Sequence, residues 1–379
     1  MVIVAAYNTE QARVLEGHNS FTISLDAARG VIAQSGIDPT TIDGVYSKTA
    51  PQLIYALGLG PVWNANNPGG ITGVLHAASV VAAGLCETVL VADGEAGRYT
   101  ERESTAPWTR PSNEFVAPFG LYTASEFALI ARRHMHRHGT TSEQMAAVAA
   151  RIRNNGNINP DAIYYGRGPF TVDDILASRM IADPFHLLDC AMTSEGGCAL
   201  IVTTAERAKD LPARPSTSSA ADSTHGAVVP ARTQLDLGSR SSDIPNGYVG
   251  RRAARTSFAM AGLTPADVDV AELYDPFSFE IIRQFEAFGF CGDGEGGEWV
   301  VENVTGDDPR LPMTTDGGLM SYSHGGGIVQ LTQRIARGVH QLQGVCETNQ
   351  VDDAQVVLCS NGGAGAFFTD VLLLGSERP

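Results

Sequence analysis

Apolar residues along this chain fall in two recurring settings. Short continuous runs end in small residues, as in "ETVLVADGEAG" (Glu87–Gly97) and "AQVVLCSNGGAG" (Ala354–Gly365). Their length and branched side chains predict buried strands. Each is preceded by a glycine-rich turn that opens an apolar-periodic stretch. These stretches are "NNPGGITGVLHAASVVAAG" (Asn66–Gly84) and "SHGGGIVQLTQRIARGVHQLQG" (Ser323–Gly344), and both predict amphipathic helices. Further upstream, "QSGIDPTTIDGVY" (Gln34–Tyr46) parallels "MAGLTPADVDVAELY" (Met260–Tyr274). Each reads as a helix end, a glycine stop, a proline-containing turn, a short helical turn and a buried strand.

The chain therefore repeats itself, with strands and helices alternating in each copy. That pattern predicts α/β halves in which helices cover a mixed sheet. The expected division is residues 1–210 for the first half, 211–245 for a linker and the start of the second half, and 246–379 for the rest. From about Trp108 to Thr171 the text is richer in charged helix ("SEFALIARRHMHRHGTTSEQMAAVAARI"), which predicts a loop domain inserted in the first half. From about Lys209 to Pro245 it is rich in Ser, Thr, Ala and Pro, a linker composition with a weak strand near "HGAVVPA".

Composition narrows the function classes. The chain has 379 residues, 43% of them hydrophobic, enough for a sizeable core. Its formal net charge of -16 argues against a nucleic-acid surface. No run of about 18 apolar residues predicts a membrane span. "MVIVAAYNTEQARV" lacks a basic start and a cleavage site, and reads as a first strand, not a signal peptide. The six cysteines are scattered, with no C-x-x-C pair, as expected of buried or catalytic thiols in a reducing cytoplasm.

In a duplicated α/β fold the strand-to-helix turns gather near the pseudo-twofold axis. Free N–H groups at helix starts suit a developing oxyanion. Gly69 and Gly70 in one turn, and Gly325 and Gly326 in the other, are candidates for that role.

The layout, together with "ELYDPFSFEIIRQFEAFGFC" (Glu272–Cys291), "GGLMSYSHGGG" and "CSNGGAG", resembles the thiolase superfamily, and within it the sterol-carrier or lipid-transfer type. The resemblance covers nearly the whole chain. It implies an α/β thiolase fold: duplicated βαβαβ-type halves in five layers (αβαβα) with an inserted loop domain. The sequence departs from the family at its chemistry. Thiolases carry a nucleophilic cysteine at the start of the first half's glycine-rich helix, where the helix dipole lowers a thiol pKa. Here that stretch, Asn66 to Gly73, has no cysteine; Thr72 or an asparagine would be a poor substitute, and Cys86 lies at the helix's far end as a core residue. Thiolases place Asn or His where Tyr274 stands. Their histidine loop reads small residues, Gly, His, Pro, whereas Tyr322 and Ser323 precede His324 here and Gly325 replaces the proline. Cys359 falls near their second, acid/base cysteine.

Loss of the nucleophile with gain of two tyrosines resembles the subgroup that cleaves steroid side-chain CoA thioesters by retro-aldol reaction. That resemblance implies a β-hydroxyacyl-CoA, hydroxylated at ring carbon 17, splitting into a 17-ketosteroid and propionyl-CoA. It further implies a thiolase-type homodimer, a partner carrying an OB-fold (DUF35) domain, and no cofactor or metal beyond the substrate's own CoA. Such a reaction needs a base for the β-hydroxyl, an acid for the enolate carbon and a cradle for the thioester oxygen. A tyrosine, with a pKa of about 10, is a weak base unless its site lowers that value. Tyr274 and Tyr322 are the candidate base and acid, in either order, with His324 on the enolate oxygen. Asp275 is placed to orient a neighbour, and Tyr274 also suits a core position. Competing readings are a thiolase or acyltransferase with an atypical nucleophile, and a non-catalytic CoA- or lipid-binding scaffold.

Other motifs read as structure. "GDGEGG" (Gly292–Gly297) matches G-x-G-x-x-G but carries two acids and no convincing helix after it, so it predicts a surface turn. "RRHMHRHG" (Arg132–Gly139) predicts a solvated basic face, with contact to CoA phosphates as a lesser reading. "LLDCAMTSEGGCALIV" (Leu187–Val202) predicts a turn and a central strand.

Overall fold

The computed structural model describes residues 1–67, 69–97, 123–211, 216–225, 249–306, 308–325, 329–362 and 368–376. Its first half runs β1 (Val2–Asn8), α1 (Ser20–Ser35), β2 (Gly44–Tyr46), α2 (Ala50–Leu57), β3 (Trp63–Ala65), α3 (Gly70–Ala82) and β4 (Thr88–Glu95). An insertion follows: α4 (Thr123–His138), α5 (Ser142–Asn157), α6 (Val172–Ala177) and a hairpin of β5 (Met180–Ala182) and β6 (Phe185–His186). β7 (Gly196–Thr203) closes the half. The second half contains β8 (Ser216–His225), α7 (Arg251–Ala261), β9 (Val270–Glu272), α8 (Ser278–Phe288), α9 (Gly296–Asn303), α10 (Val329–Gln343), β10 (Val356–Gly362) and β11 (Phe368–Gly375).

The strand order is β3-β2-β4-β7-β1 in the first half and β9-β10-β11-β8 in the second. In each half parallel pairing (β3/β2/β4 in the first, β9/β10 in the second) is followed by antiparallel neighbours. The two sheets meet where Val2 and Ile3 pair with Thr217 and Ser216. The internal repeat read from the sequence is thus a repeat of topology. Its register is finer than the text suggested. Gly44–Tyr46 lie opposite Val89–Val91, and Val270–Glu272 opposite Val357–Cys359, so Tyr46 corresponds to Glu272 and not to Tyr274.

The same local devices recur. α1 and α7 both stop at a left-handed glycine, Gly36 (φ 67°) and Gly262 (φ 69°). The Asp43 carboxylate accepts the N–H groups of Glu87 (2.9 Å) and Thr88 (2.8 Å) at the start of β4. Asp269 does the same for Gln355 (2.8 Å) and Val356 (2.9 Å) before β10.

Alternate strand residues face two different cores, as the pleat requires. Val89, Val91, Val357 and Cys359 join α3 and α10 in the central layer. Leu90 and Ala92 pack outward on α1 and α2. Leu358, Val371 and Leu373 pack outward on α7, α8 and the insertion's α4 and α5. Five layers result, with α3 and α10 sandwiched in the middle. The stretch expected to hold a linker and the start of the second half contains β8, the counterpart of β1; the strand expected near "HGAVVPA" lies largely outside the described residues, β8 ending at His225.

Candidate active site

Tyr274 lies two residues past the end of β9, and its backbone is clamped on both sides. Its N–H donates to Ser360 Oγ on β10 (2.9 Å), and its carbonyl accepts from Gln284 Nε2 on α8 (2.6 Å). The next residue, Asp275, is fully buried. Its carboxylate accepts the N–H groups of Leu319 (2.8 Å) and Met320 (3.1 Å). These open a five-residue π-turn, Gly318–Tyr322, so the acid sits at the positive end of a helical turn. Burial pushes the Asp275 carboxyl up to about 7, against the opposing pull of Arg334 and the two N–H groups. The turn needs its glycines. A Cβ on Gly318 would lie 2.3 Å from Asp275 Oδ2, and one on Gly317 2.6 Å from the Gly156 Cα. Asp275 thus ties the tyrosine loop to the Tyr274 segment.

His324 is fixed by the segment leading into β7. Its N–H donates to Ser194 Oγ (2.7 Å), and its Nδ1 lies 2.7 Å from the Met192 carbonyl oxygen. A carbonyl only accepts, so Nδ1 carries the hydrogen and the neutral ring has its lone pair on Nε2. Gly325 bridges to Ser194, and its carbonyl accepts the Val329 N–H that opens α10 (3.2 Å). Gly326 lies outside the described residues. Pro276, in turn, accepts the Ala191 N–H (2.9 Å), so the segments bearing Tyr274, Tyr322 and His324 are stitched into one unit.

Tyr322 is 4% exposed. Burial, then the charges of Asp316, Asp161 and Cys198, push its phenol well above the ordinary tyrosine value, with Arg334 opposing. The resting site thus holds a protonated phenol. Tyr322 also lines a cavity of about 710 Å³ with Asn159, Asp161, Asp316, Arg337 and His340; neither Tyr274 nor His324 borders it.

Sequence reasoning missed the network beneath the loop. Arg334 of α10 is wholly buried and grips Asp316 with two nitrogens (2.7 and 2.6 Å), with Glu272 3.4 Å from it. Asp316 also accepts the Gly318 N–H (2.8 Å), tying the turn to the helix. Burial would raise Asp316, but Arg334 reverses this and holds its carboxyl below the ordinary value. Burial and the nearby Asp316 raise Glu272. The polar face of α10 (Gln330, Gln333, Arg334, Arg337, Gln341) points inward, not to solvent. One signal was available: "VQLTQRIARGVHQLQ" contains no Lys, Asp or Glu, the usual residues of a solvated helix face.

Comparison with known proteins gives these features a family. The model of the thiolase C-terminal domain-like family matches residues 238–376. The chain is 34% identical over 369 residues to the 17-hydroxy-3-oxo-4-pregnene-20-carboxyl-CoA lyase of Mycobacterium tuberculosis, covering 91% of this chain and 92% of that one. It is 32% identical over 388 residues to the steroid side-chain-cleaving aldolase of Thermomonospora curvata, covering 96% and 94%. Among solved structures, the Ltp2-ChsH2(DUF35) aldolase superposes with a TM-score of 0.86 at 30% identity, covering 100% of this chain and 98% of that one. The chain belongs to the thiolase superfamily, in the branch of these aldolases.

Set against a thiolase, the first half is closed where acyl transfer would begin. The Gly69 N–H donates to Asp93 Oδ2 (2.6 Å) and the Gly70 N–H to Thr332 Oγ1 (2.9 Å). The expectation that these two glycines serve an oxyanion is corrected: their hydrogens are already taken by protein groups. Asp93 also accepts the Lys48 N–H (3.0 Å), and burial pushes its carboxyl up to about 7. Burial likewise pushes all six thiols up: to about 11 at Cys86, to about 12 at Cys190, Cys291 and Cys346, and well above the ordinary thiol value at Cys198 and Cys359. Cys359 packs against α10, its Sγ 3.5 Å from the Arg334 carbonyl oxygen. It is a core thiol and not an acid/base group, because the pleat turns it toward the central layer.

Two motifs differ from their expected form. His134, read as part of a solvated basic face, is buried, bonded to Glu286 (3.0 Å) and Thr140 (2.8 Å); Arg132, His136, Arg137 and His138 are exposed as expected. "GDGEGG" does lead into a helix, α9, but Glu286 accepts the Gly296 N–H (2.9 Å) at its start, which leaves no phosphate cradle there. Among the described residues, no cluster of His, Cys, Asp and Glu is arranged for a metal, and no helix is long and apolar enough to cross a membrane.

Proposed function

We propose that this protein cleaves a β-hydroxyacyl-CoA thioester by retro-aldol reaction, its substrate a 17-hydroxy steroid side-chain CoA and its products a 17-ketosteroid and propionyl-CoA. The observation that carries this reading is a thiolase scaffold whose α3 opens without a cysteine, the thiols elsewhere being buried or half-buried. Without a thiolate, an acyl-enzyme has no nucleophile. The relatives named as steroid lyase and aldolase support the substrate class.

We propose roles in which His324 is the base and Tyr322 the acid. With Nδ1 directed at the Met192 carbonyl, His324 suits the base of the proposed reaction better than a donor to an oxyanion. Its Nε2 takes the hydroxyl proton. The bond between the carbinol carbon and the thioester α-carbon breaks, leaving a ketone and a thioester enolate. The Tyr322 phenol protonates the α-carbon, and solvent returns the proton from His324 to the phenolate. Tyr274 orients the hydroxyl. No cofactor or co-reactant enters the balance. We propose further that the chain works in the cytoplasm as a thiolase-type homodimer joined to a DUF35-domain partner, since the Ltp2-ChsH2(DUF35) aldolase is a similar structure.

The test incubates the protein, alone and with a DUF35-domain partner, with a 17-hydroxy steroid side-chain CoA. Release of propionyl-CoA and a 17-ketosteroid is expected. Tyr322→Phe and His324→Gln should each lower kcat by about 10²–10⁴-fold. Undiminished cleavage by both variants would sink the assignment. Release of acetyl-CoA from a 3-ketoacyl-CoA, dependent on free CoA, would restore the thiolase reading.

A further inference from the structure

The two halves differ at one matched position, and that difference points to an unassigned substrate contact. The register that sets Val91 opposite Tyr46 and Cys359 opposite Glu272 makes Asp93 and Asn361 counterparts, each two residues further along its strand. Both are buried, at 1% exposure. Asp93 is fully employed, with the N–H groups of Lys48 and Gly69 on its two oxygens. Among the described residues, Asn361 has no hydrogen-bond partner on either Oδ1 or Nδ2. A buried amide left in this state destabilises a fold, and such groups persist where a ligand supplies what is missing.

Its position suits that role. Asn361 lies at the carboxyl end of β10, directly after Ser360, which anchors the Tyr274 backbone. A Cβ on Gly70 would come within 2.6 Å of Asn361 Nδ2 and 2.6 Å of Leu331 Cβ, so the amide sits between the first turns of α3 and α10. Crevices at strand carboxyl ends are where open α/β sheets bind ligands. The Gly69 and Gly70 hydrogens there are occupied, whereas the Asn361 hydrogens are not.

We infer that Asn361 Nδ2 donates a hydrogen bond to the thioester carbonyl oxygen of the acyl-CoA substrate. This rests on the retro-aldol reading, which sends an electron pair onto that oxygen as the carbon–carbon bond breaks. A donor placed there stabilises the enolate. A carboxylate, as in the first half, would repel it. Replacing an acceptor with an amide at the matched position is the change the chemistry requires.

The test compares wild type with Asn361→Ala and Asn361→Asp in three measurements. Steady-state cleavage of the 17-hydroxy steroid CoA should lose about 10²–10³-fold in kcat, with KM changed only a few-fold. The thermal midpoint of Asn361→Ala should equal or exceed that of wild type, because an unpartnered amide has been removed. The infrared carbonyl band of bound propionyl-CoA should lie at lower frequency in wild type than in Asn361→Ala. Full-rate cleavage by Asn361→Ala overturns the inference. So does a loss of rate accompanied by a lower thermal midpoint and an unchanged carbonyl band. If wild type does not cleave the steroid thioester, the aldolase reading fails, and the carbonyl band alone decides the role of Asn361.

Discussion

The first and second halves of this protein are built alike and finished differently. Asp43 and Asp269 latch the start of β4 and β10 in the same way. Gly36 and Gly262 stop matching helices. The divergence lies in the central layer and at the strand ends. α3 buries only glycine and apolar side chains, while α10 buries two arginines and three glutamines beside its apolar residues. At the end of β4 every donor around Asp93 is paired; at the end of β10 the amide of Asn361 is not. Duplication supplied a rigid frame twice over. The copies part at the turns that open α3 and α10: the turn of the second carries Tyr322 and His324, that of the first Gly69 and Gly70.

The comparison can be broken most forcefully at Arg334. Replacing it with methionine leaves Asp316 and Glu272 as buried acids with only Arg337 nearby, and should destabilise the protein by about 3–5 kcal/mol in urea unfolding. A loss below about 1 kcal/mol would mean that the polar layer of the second half is not what holds its loop. A pH titration of stability probes the sealed end of the first half. Asp93 has a folded pKa of about 7, above its unfolded value, so the folded state binds the extra proton between about pH 4 and pH 7. Stability from this group therefore falls as pH rises through that window, with a slope approaching about 1.4 kcal/mol per pH unit. Asp93→Asn, which gives the first half the residue of the second, should flatten the profile by that one group's share, with Asp275 still titrating. An unchanged slope would contradict the burial of a titrating Asp93. The smallest expected effect tests the sameness of the frame. Asp43→Ala and Asp269→Ala should each lose about 1–2 kcal/mol, within about 0.5 kcal/mol of one another. Unequal losses would show that the two latches no longer do the same work.

The loop residues mark the limit of what local sequence determines. Tyr322 and His324 stood out because a tyrosine and a histidine interrupt a run of small residues, and the turn's glycines were visible beside them. Which of them would give a proton and which would take one in the proposed reaction was not visible. That depended on Met192, whose carbonyl fixes the His324 tautomer across a sequence separation of 132 residues, and on the burial that keeps Tyr322 protonated. Gly69 and Gly70 looked like oxyanion donors for the same local reasons as Gly325. They are not, because Asp93 and Thr332 reach them from 24 and 262 residues away.

Sequence alone determined the alternation of strand and helix, the internal duplication, the glycine stops and the missing nucleophile. These are local properties: apolar period, glycine freedom and residue identity act within a few positions of themselves. Only the tertiary structure decided which buried polar groups are satisfied. Asp275 on the π-turn, Arg334 on Asp316 and the unpartnered Asn361 each depend on segments brought together by the closing of two sheets around a shared layer of helices. A buried charge or amide takes its protonation state and its role from whatever lies a few ångströms away, and in this chain those neighbours are distant in sequence.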